Sequence, residues 1–277
     1  MFVYMIKKII FLALTGVLLT SCSQYQKVLK NDDIKAKYEM AAKLYEEGKA
    51  EDKNSKYKKS LRLVEQILPQ YSGKPQGEKI RFIYADLFYR LESYFDSGYQ
   101  FERFTKAHAQ SEKAEEALFK SAKSYYYISP RYSLDQKETH TGISKLQTYI
   151  SQYPDGEYIG EANELVRELQ EKLEKKAFLI ARQYYHLEDY KASMAAMENF
   201  IENYPGSKYI EKAYYYKMDA AYLLAINSYQ YLVQERLNTA KDYYQDYIKF
   251  YPEGEFNEEV RSTSEDIETR LENFQKS

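Results

Sequence analysis

Three short segments recur along this chain: Tyr153-Pro154-Asp155-Gly156-Glu157-Tyr158, Tyr204-Pro205-Gly206-Ser207-Lys208-Tyr209 and Tyr251-Pro252-Glu253-Gly254-Glu255-Phe256. A Pro after a Tyr ends a helix because it has no N–H for the backbone ladder, and the Gly or Ser beyond it permits a turn into the next helix. The match continues upstream. Twelve residues before each Pro stands a small residue (Gly142, Ser193, Ala240), eight before it Leu146, Met197 or Tyr244, five before it Tyr149, Phe200 or Tyr247, and four before it Ile150, Ile201 or Ile248. Offsets of 12, 8, 5, 4 and 1 follow one face of a helix.

Two weaker copies precede these. With Ser72 in the Pro slot the face reads Ser60, Val64, Ile67, Leu68, Tyr71, and with Ala109 it reads Ser97, Phe101, Phe104, Thr105, His108. The slots at 72, 109, 154, 205 and 252 lie 37, 45, 51 and 47 residues apart, periods that mean stacked supersecondary units. In each unit the small residue lets two helices approach, and the aromatics fill the groove between them. One helix pair leaves apolar faces uncovered until a neighbour stacks on it, so the prediction is an all-α, right-handed α-solenoid of about five helix pairs. Its packing residues are Gly142, Leu146, Tyr149, Pro154, Ser193, Met197, Phe200, Pro205, Ala240, Tyr244, Tyr247 and Pro252. The periodicity predicts helices over about 33–48, 54–71, 78–95, 97–109, 112–128, 137–153, 157–187, 190–203, 207–228, 232–250 and 255–275. A loop at Ser129–Gln136 interrupts them, and no linker is rich enough in Pro, Gly or Ser to split the chain.

The N-terminus has a different pattern. Lys7 and Lys8 precede the apolar run Ile9–Leu19, and small residues follow, which makes residues 1–21 a secretion signal. The run is shorter than the ~20 residues a spanning helix needs. The single cysteine, Cys22, cannot form an intrachain disulfide or a zinc site. Leu19-Thr20-Ser21-Cys22 resembles the bacterial lipobox, which implies that Cys22 is acylated (palmitate among the chains) and becomes the mature N-terminus; an ordinary signal peptide with an incidental Cys is the alternative. Two or more acyl chains give stable anchoring where one is marginal. Residues 22–32 then read as a lipidated tether, with the start at Met1 or Met5. Ser23, in place of an Asp, and the absence of an acidic run after it resemble lipoproteins held on the periplasmic face of the outer membrane.

Signals for catalysis or cofactors are missing. There is no HExxH, Gly-rich phosphate loop or GxSxG, and 40 basic against 42 acidic residues give no basic excess for nucleic acid. No cofactor or metal is expected. His108 fills a slot taken by Tyr in other copies and reads as packing, while His140 and His186 lack a partner at ligand spacing. Glu115-Glu116 and Glu258-Glu259 read as solvated helix surface. Charge is nevertheless uneven: residues 22–66 carry 11 basic and 8 acidic groups, net +3, and residues 253–277 carry 3 and 8, net −5. One reading sets a basic end beside anionic headgroups and an acidic end against a basic partner; ordinary helix surface is the other. The 32 Tyr include the runs Tyr125-Tyr126-Tyr127, Tyr184-Tyr185, Tyr214-Tyr215-Tyr216 and Tyr243-Tyr244, whose neighbours diverge by about 100° on a helix and cannot all enter one core. Some of these rings pack between units or face a peptide-binding groove.

The small, aromatic and closing-Pro positions resemble the tetratricopeptide repeat, though the periods here exceed its 34 residues. Lipobox, tether and five such units together resemble the BamD family of lipoproteins from the outer-membrane β-barrel assembly machinery. The most specific matches are Tyr204–Tyr215, the run Leu173–Phe178 and the loop Ser129–Gln136, the last resembling Bacteroidetes members. The resemblance implies a lipid-anchored periplasmic scaffold with no catalysis of its own. Its C-terminal units, about 157–277, would dock on the periplasmic domains of a BamA-like insertase, and its N-terminal units, about 33–153, would receive unfolded outer-membrane proteins. No contact residue is carried over. The rivals are another periplasmic tetratricopeptide lipoprotein, serving cell-envelope coordination or glycan uptake, and an enzyme with a dispersed site.

Overall fold

The structure is a computed structural model that describes residues 24–276. The signal segment 1–21 and Cys22 lie outside the described residues. Among the described residues all regular structure is helical: α1 (24–30), α2 (Ile34–Glu51), α3 (Asn54–Ile67), α4 (Gly77–Arg90), α5 (Tyr94–Ala107), α6 (Ala114–Ile128), α7 (Lys137–Gln152), α8 (Ile159–His186), α9 (Tyr190–Asn203), α10 (Ile210–Ile226), α11 (Gln230–Phe250) and α12 (Asn257–Lys276). This is an all-α helical-repeat fold. The predicted helices appear in order, with three instructive differences.

Residues 24–30, expected as tether, are helical, and Tyr25, Val28 and Leu29 pack on the first core. Three apolar residues within five positions gain more from burial than an extended chain loses in freedom. The helix predicted to end at 71 tightens after Ile67 into a 3-10 turn, Leu68–Tyr71, because Pro69 has no N–H. The helix predicted over 78–95 ends at Arg90, where Glu92 takes a left-handed φ of 60°. Glu188 does the same after α8, also at φ 60°. Neither turn carries the Gly that normally marks such a stop.

The described residues form two compact units, 24–129 with 137–166, and 130–136 with 167–276. The division falls inside α8 after Val166, with no linker to mark it. In the first unit α2, α3 and α4 bury Tyr45, Tyr57, Leu63, Val64, Ile67 and Ile80, and a second core joins Phe82, Phe101, Phe104 and Ala117. In the second unit Phe178, Met197 and Phe200 form one core, Met218, Tyr247 and Val260 another, and Ala221, Leu237, Ala240 and Ile267 a third. The loop 130–136 belongs to the second unit. Its turn is held by the buried Gln136, whose Nε2 donates to the carbonyls of Arg131 (2.9 Å) and Leu134 (2.8 Å), while Lys176 Nζ donates to Leu134 O (2.5 Å).

One turn recurs five times. The N–H of Lys74, Ser111, Gly156, Ser207 and Gly254 donates to the carbonyl three residues back, on Tyr71, His108, Tyr153, Tyr204 and Tyr251, at 3.0–3.2 Å. Two side-chain solutions cap the next helix. At Tyr149 and Tyr247 the hydroxyl of the preceding helix donates to a Glu (Glu115, 2.9 Å; Glu211, 2.8 Å) and accepts from the N–H of Tyr158 (3.0 Å) or Phe256 (3.2 Å). The same Glu oxygen accepts from the N–H of Glu157 (2.7 Å) or Glu255. Here the turn residue is Gly, since a Cβ on Gly156 would lie 2.6 Å from Tyr149 Oη, and one on Gly254 would collide with Tyr247 Oη and Glu211. Where Phe104 and Phe200 replace the Tyr, Ser111 and Ser207 replace the Gly, and each Ser Oγ accepts the N–H itself, from Lys113 (3.0 Å) and Tyr209 (3.2 Å). The Tyr–Glu pair thus satisfies two N–H groups ahead of the next helix and the Ser one.

A ring then stacks beyond the turn. Tyr158 lies on Phe119 (4.6 Å), Tyr209 on Phe178 (5.0 Å) and Phe256 on Tyr215 (4.4 Å). In the earlier copy Lys113 takes that place, with its ammonium 5.5 Å from the Phe82 ring centre.

Candidate functional site

Tyr–Asp hydrogen bonds join alternate helices, α2 to α4 in the first unit and α8 to α10 to α12 in the second. Tyr45 Oη donates to Asp86 (2.7 Å), Tyr185 Oη to Asp219 (2.5 Å) and Tyr222 Oη to Asp266 (2.7 Å). The donors and acceptors stand 34 to 44 residues apart, one repeat, so each bond ties a helix to its counterpart in the following repeat.

In the first unit Asp86 is fully buried and forms a charged hub. Lys120 Nζ reaches it at 2.5 Å and Arg90 Nε at 3.1 Å, and Lys120 also pairs with Glu116 (2.8 Å). Burial pushes the Asp86 carboxyl upward, but Lys120, the Tyr45 hydroxyl and Arg90 outweigh it and hold the group below the usual carboxylate range. Tyr45 is pushed well above its ordinary value by burial and by the Asp86 charge. The Lys120 ammonium lies 5.6–6.0 Å from the ring centres of Tyr89, Phe82 and Phe101.

Above the buried Asp86, its partners Tyr45, Arg90 and Lys120 line a groove of about 490 Å³ along α2, α4 and α6. Phe82, Ile83, Phe104 and Tyr45 supply apolar surface, and Lys49, Lys79, Lys113, Glu46 and Glu78 form a mixed-charge rim. An aromatic floor under charges of both signs suits a polypeptide segment better than one small molecule.

Of the packing residues, Gly142, Leu146, Tyr149, Ser193, Met197, Phe200, Ala240 and Tyr247 are buried at helix crossings. Tyr244 is half-buried, and Pro154, Pro205 and Pro252 sit exposed at the turns they begin. His108 lies against the Phe104 ring (5.1 Å) with Nδ1 4.0 Å from Glu78. Glu115 and Glu116, expected as solvated surface, are half-buried: Glu115 joins the turn at Gly156, and Glu116 pairs with Lys113 (2.9 Å) and Lys120. Glu258 and Glu259 are exposed. Adjacent tyrosines divide their duties, with Tyr215 stacked on Phe256 while Tyr216 meets Tyr185 edge-on at 5.0 Å. The hub at Asp86 and Lys120 was not singled out by sequence, although both Asp86 and Asp219 stand three residues before a Tyr, at Tyr89 and Tyr222.

The family described as Outer membrane lipoprotein (YfiO) matches residues 37–186, and a Tetratricopeptide repeat family matches 177–207. The first match spans more than half of the chain. The chain belongs to the YfiO family. Two curated relatives are similar over most of their length, and both are named Outer membrane protein assembly factor BamD. The protein from Rickettsia prowazekii (strain Madrid E) is 22% identical over 186 residues, 67% of this chain and 74% of its own. The protein from Pasteurella multocida (strain Pm70) is 20% identical over 215 residues, 73% of this chain and 79% of its own. The YfiO match covers the Asp86 hub and its groove, and the repeat match covers the turn at Tyr204.

Proposed function

We propose that this protein is a periplasmic scaffold of the outer-membrane β-barrel assembly machinery, held to the membrane by acyl chains on Cys22. The second unit docks on the periplasmic domains of a BamA-like insertase, and the groove of the first unit receives unfolded outer-membrane proteins. Membership of the outer membrane lipoprotein family, with two relatives named as assembly factors, carries this reading. The groove supports the client half of it: its aromatic floor takes side chains of either the apolar or aromatic kind, and its paired rim charges tolerate many sequences. Binding of this kind adds no catalytic step, and the scaffold works by holding client and insertase together at high effective concentration.

The test is in-cell crosslinking of the tagged, full-length protein, with photoreactive residues at Lys79 in the groove and at exposed positions on α10 to α12. The expected products are a large β-barrel protein with repeated periplasmic domains from the second unit, and unfolded outer-membrane proteins from Lys79. Recovery of cell-wall or transporter proteins alone would overturn the reading in favour of envelope coordination or glycan uptake.

A further inference from the structure

We propose that Asp219 and the tyrosines around it form a seat on the second unit for a basic side chain, lysine or arginine, of a partner protein. This goes beyond the scaffold reading and does not depend on it.

Asp86 and Asp219 occupy one register position of the repeat. Each stands six residues after a buried residue, Ile80 or Ala213, whose N–H donates to the carbonyl four back, on Gln76 or Tyr209. Each accepts a hydrogen bond from a tyrosine of the preceding alternate helix, Tyr45 or Tyr185. Each has a ring four residues before it, Phe82 or Tyr215. In the first unit two cations complete the arrangement. Arg90 comes from four residues further along α4, and Lys120 from the next alternate helix, three residues after Ala117. The corresponding positions of the second unit hold Leu223, four residues after Asp219, and Thr263, three residues after Val260. The Thr263 hydroxyl donates to its own helix, at Glu259 O (2.9 Å).

Asp219 is thus a half-buried carboxylate whose two cation positions are neutral. Burial raises its carboxyl above the ordinary range, and the hydrogen from Tyr185 offsets only part of that. Rings crowd the site: Tyr216 lies 5.0 Å from Tyr185 and 5.3 Å from Tyr215, and Tyr190 lies 6.1 Å from Tyr185. Burial and the charges of Glu188 and then Asp219 hold up the Tyr190 hydroxyl, and burial and the charges of Asp219 and then Glu259 hold up that of Tyr215, so both rings sit within electrostatic reach of Asp219. Aromatic faces around one carboxylate recognise an ammonium or guanidinium by cation–π attraction and a charge-assisted hydrogen bond. Lys120 shows the filled form in the same chain. A single carboxylate is too few oxygens for a hard metal ion. The segment 253–277, with 8 acidic and 3 basic residues, favours a basic protein surface as the source of the side chain.

The test uses the full mature chain, ring-labelled with carbon-13 at tyrosine, and a heptapeptide probe with one central arginine in a glycine–serine background and neutral ends. NMR titration should move the Tyr185, Tyr190 and Tyr215 rings saturably. Citrulline in place of arginine should weaken binding at least about tenfold. Asp219→Asn, which keeps an acceptor for Tyr185, and Thr263→Lys, which supplies the cation internally, should each weaken it to a similar degree while thermal melting shows both variants folded. Absence of saturable shifts, equal binding of the citrulline peptide, or indifference to Asp219→Asn would overturn the proposal.

Discussion

Exchange of the two turn solutions makes a quantitative test of how the repeat closes. Gly254→Ser introduces a Cβ against Tyr247 Oη and Glu211, so the carboxylate must move. Three hydrogen bonds depend on that cluster: Tyr247 to Glu211, Glu255 N–H to Glu211, and Phe256 N–H to Tyr247. At ~0.5–1.5 kcal/mol each, the loss is about 2–4 kcal/mol. Tyr247→Phe removes two of the three at a cost of ~1–3 kcal/mol. The double variant, Tyr247→Phe with Gly254→Ser, recreates the pair found at Phe200 and Ser207, where Ser Oγ caps the Tyr209 N–H at 3.2 Å. It should be no less stable than Tyr247→Phe alone, giving a coupling of ~2 kcal/mol or more between adjacent side chains. Urea melts followed by circular dichroism measure the three free energies, and hydrogen exchange at Phe256 reports the local cap. Additivity within ~0.5 kcal/mol would refute the reasoning.

Asp86→Asn should destabilise the first unit by ~3–5 kcal/mol, because it removes the buried charge that Arg90 and Lys120 share and leaves Lys120 with Glu116 alone, and denaturant melts would show it. The Asp86 carboxyl lies below the ordinary value, so its contribution in the parent protein is complete above the unfolded-state pKa and is lost as pH falls through the folded-state value; the Asn variant should lack that acid-side loss of stability. Ala240→Phe overpacks the fully buried crossing of α10 and α11 and should cost ~1–3 kcal/mol in the same assay. Glu188→Gly relieves a left-handed backbone at φ 60° and should raise stability by about 0.5 kcal/mol, the relief of strain exceeding the entropy glycine adds to the unfolded chain; an unchanged melt would argue against strain there. Cys22→Ala should leave the melt unchanged and move the protein from the membrane to the soluble periplasmic fraction.

Much of the fold was legible because it depends on local periodicity. Small residues at Gly142, Ser193 and Ala240, and aromatics at Tyr149, Phe200 and Tyr247, stand at spacings that bury one helix face, and each is buried. The break after α8 was legible, with helices expected over 157–187 and 190–203, but the stop at Glu92 escaped detection, inside the helix expected over 78–95, because no Gly or Pro marks it; at Glu92 and Glu188 alike, tertiary packing imposes the left-handed residue against its intrinsic preference. The candidate groove escaped for a different reason. Asp86 is an ordinary acidic residue of a helix until Tyr45, 41 residues earlier, and Lys120, 34 later, are brought to it.

Helical class, repeat register and the sites of the five turns follow from local residue order alone, because backbone hydrogen bonding and helix amphipathicity act over three to five residues. Which carboxylates are buried and paired, why Tyr goes with Gly and Phe with Ser at the turns, and the division of the two compact units within α8 after Val166 emerge from the folded arrangement. Those outcomes rest on contacts between side chains a whole repeat apart, whose energies exist only once the helices have stacked.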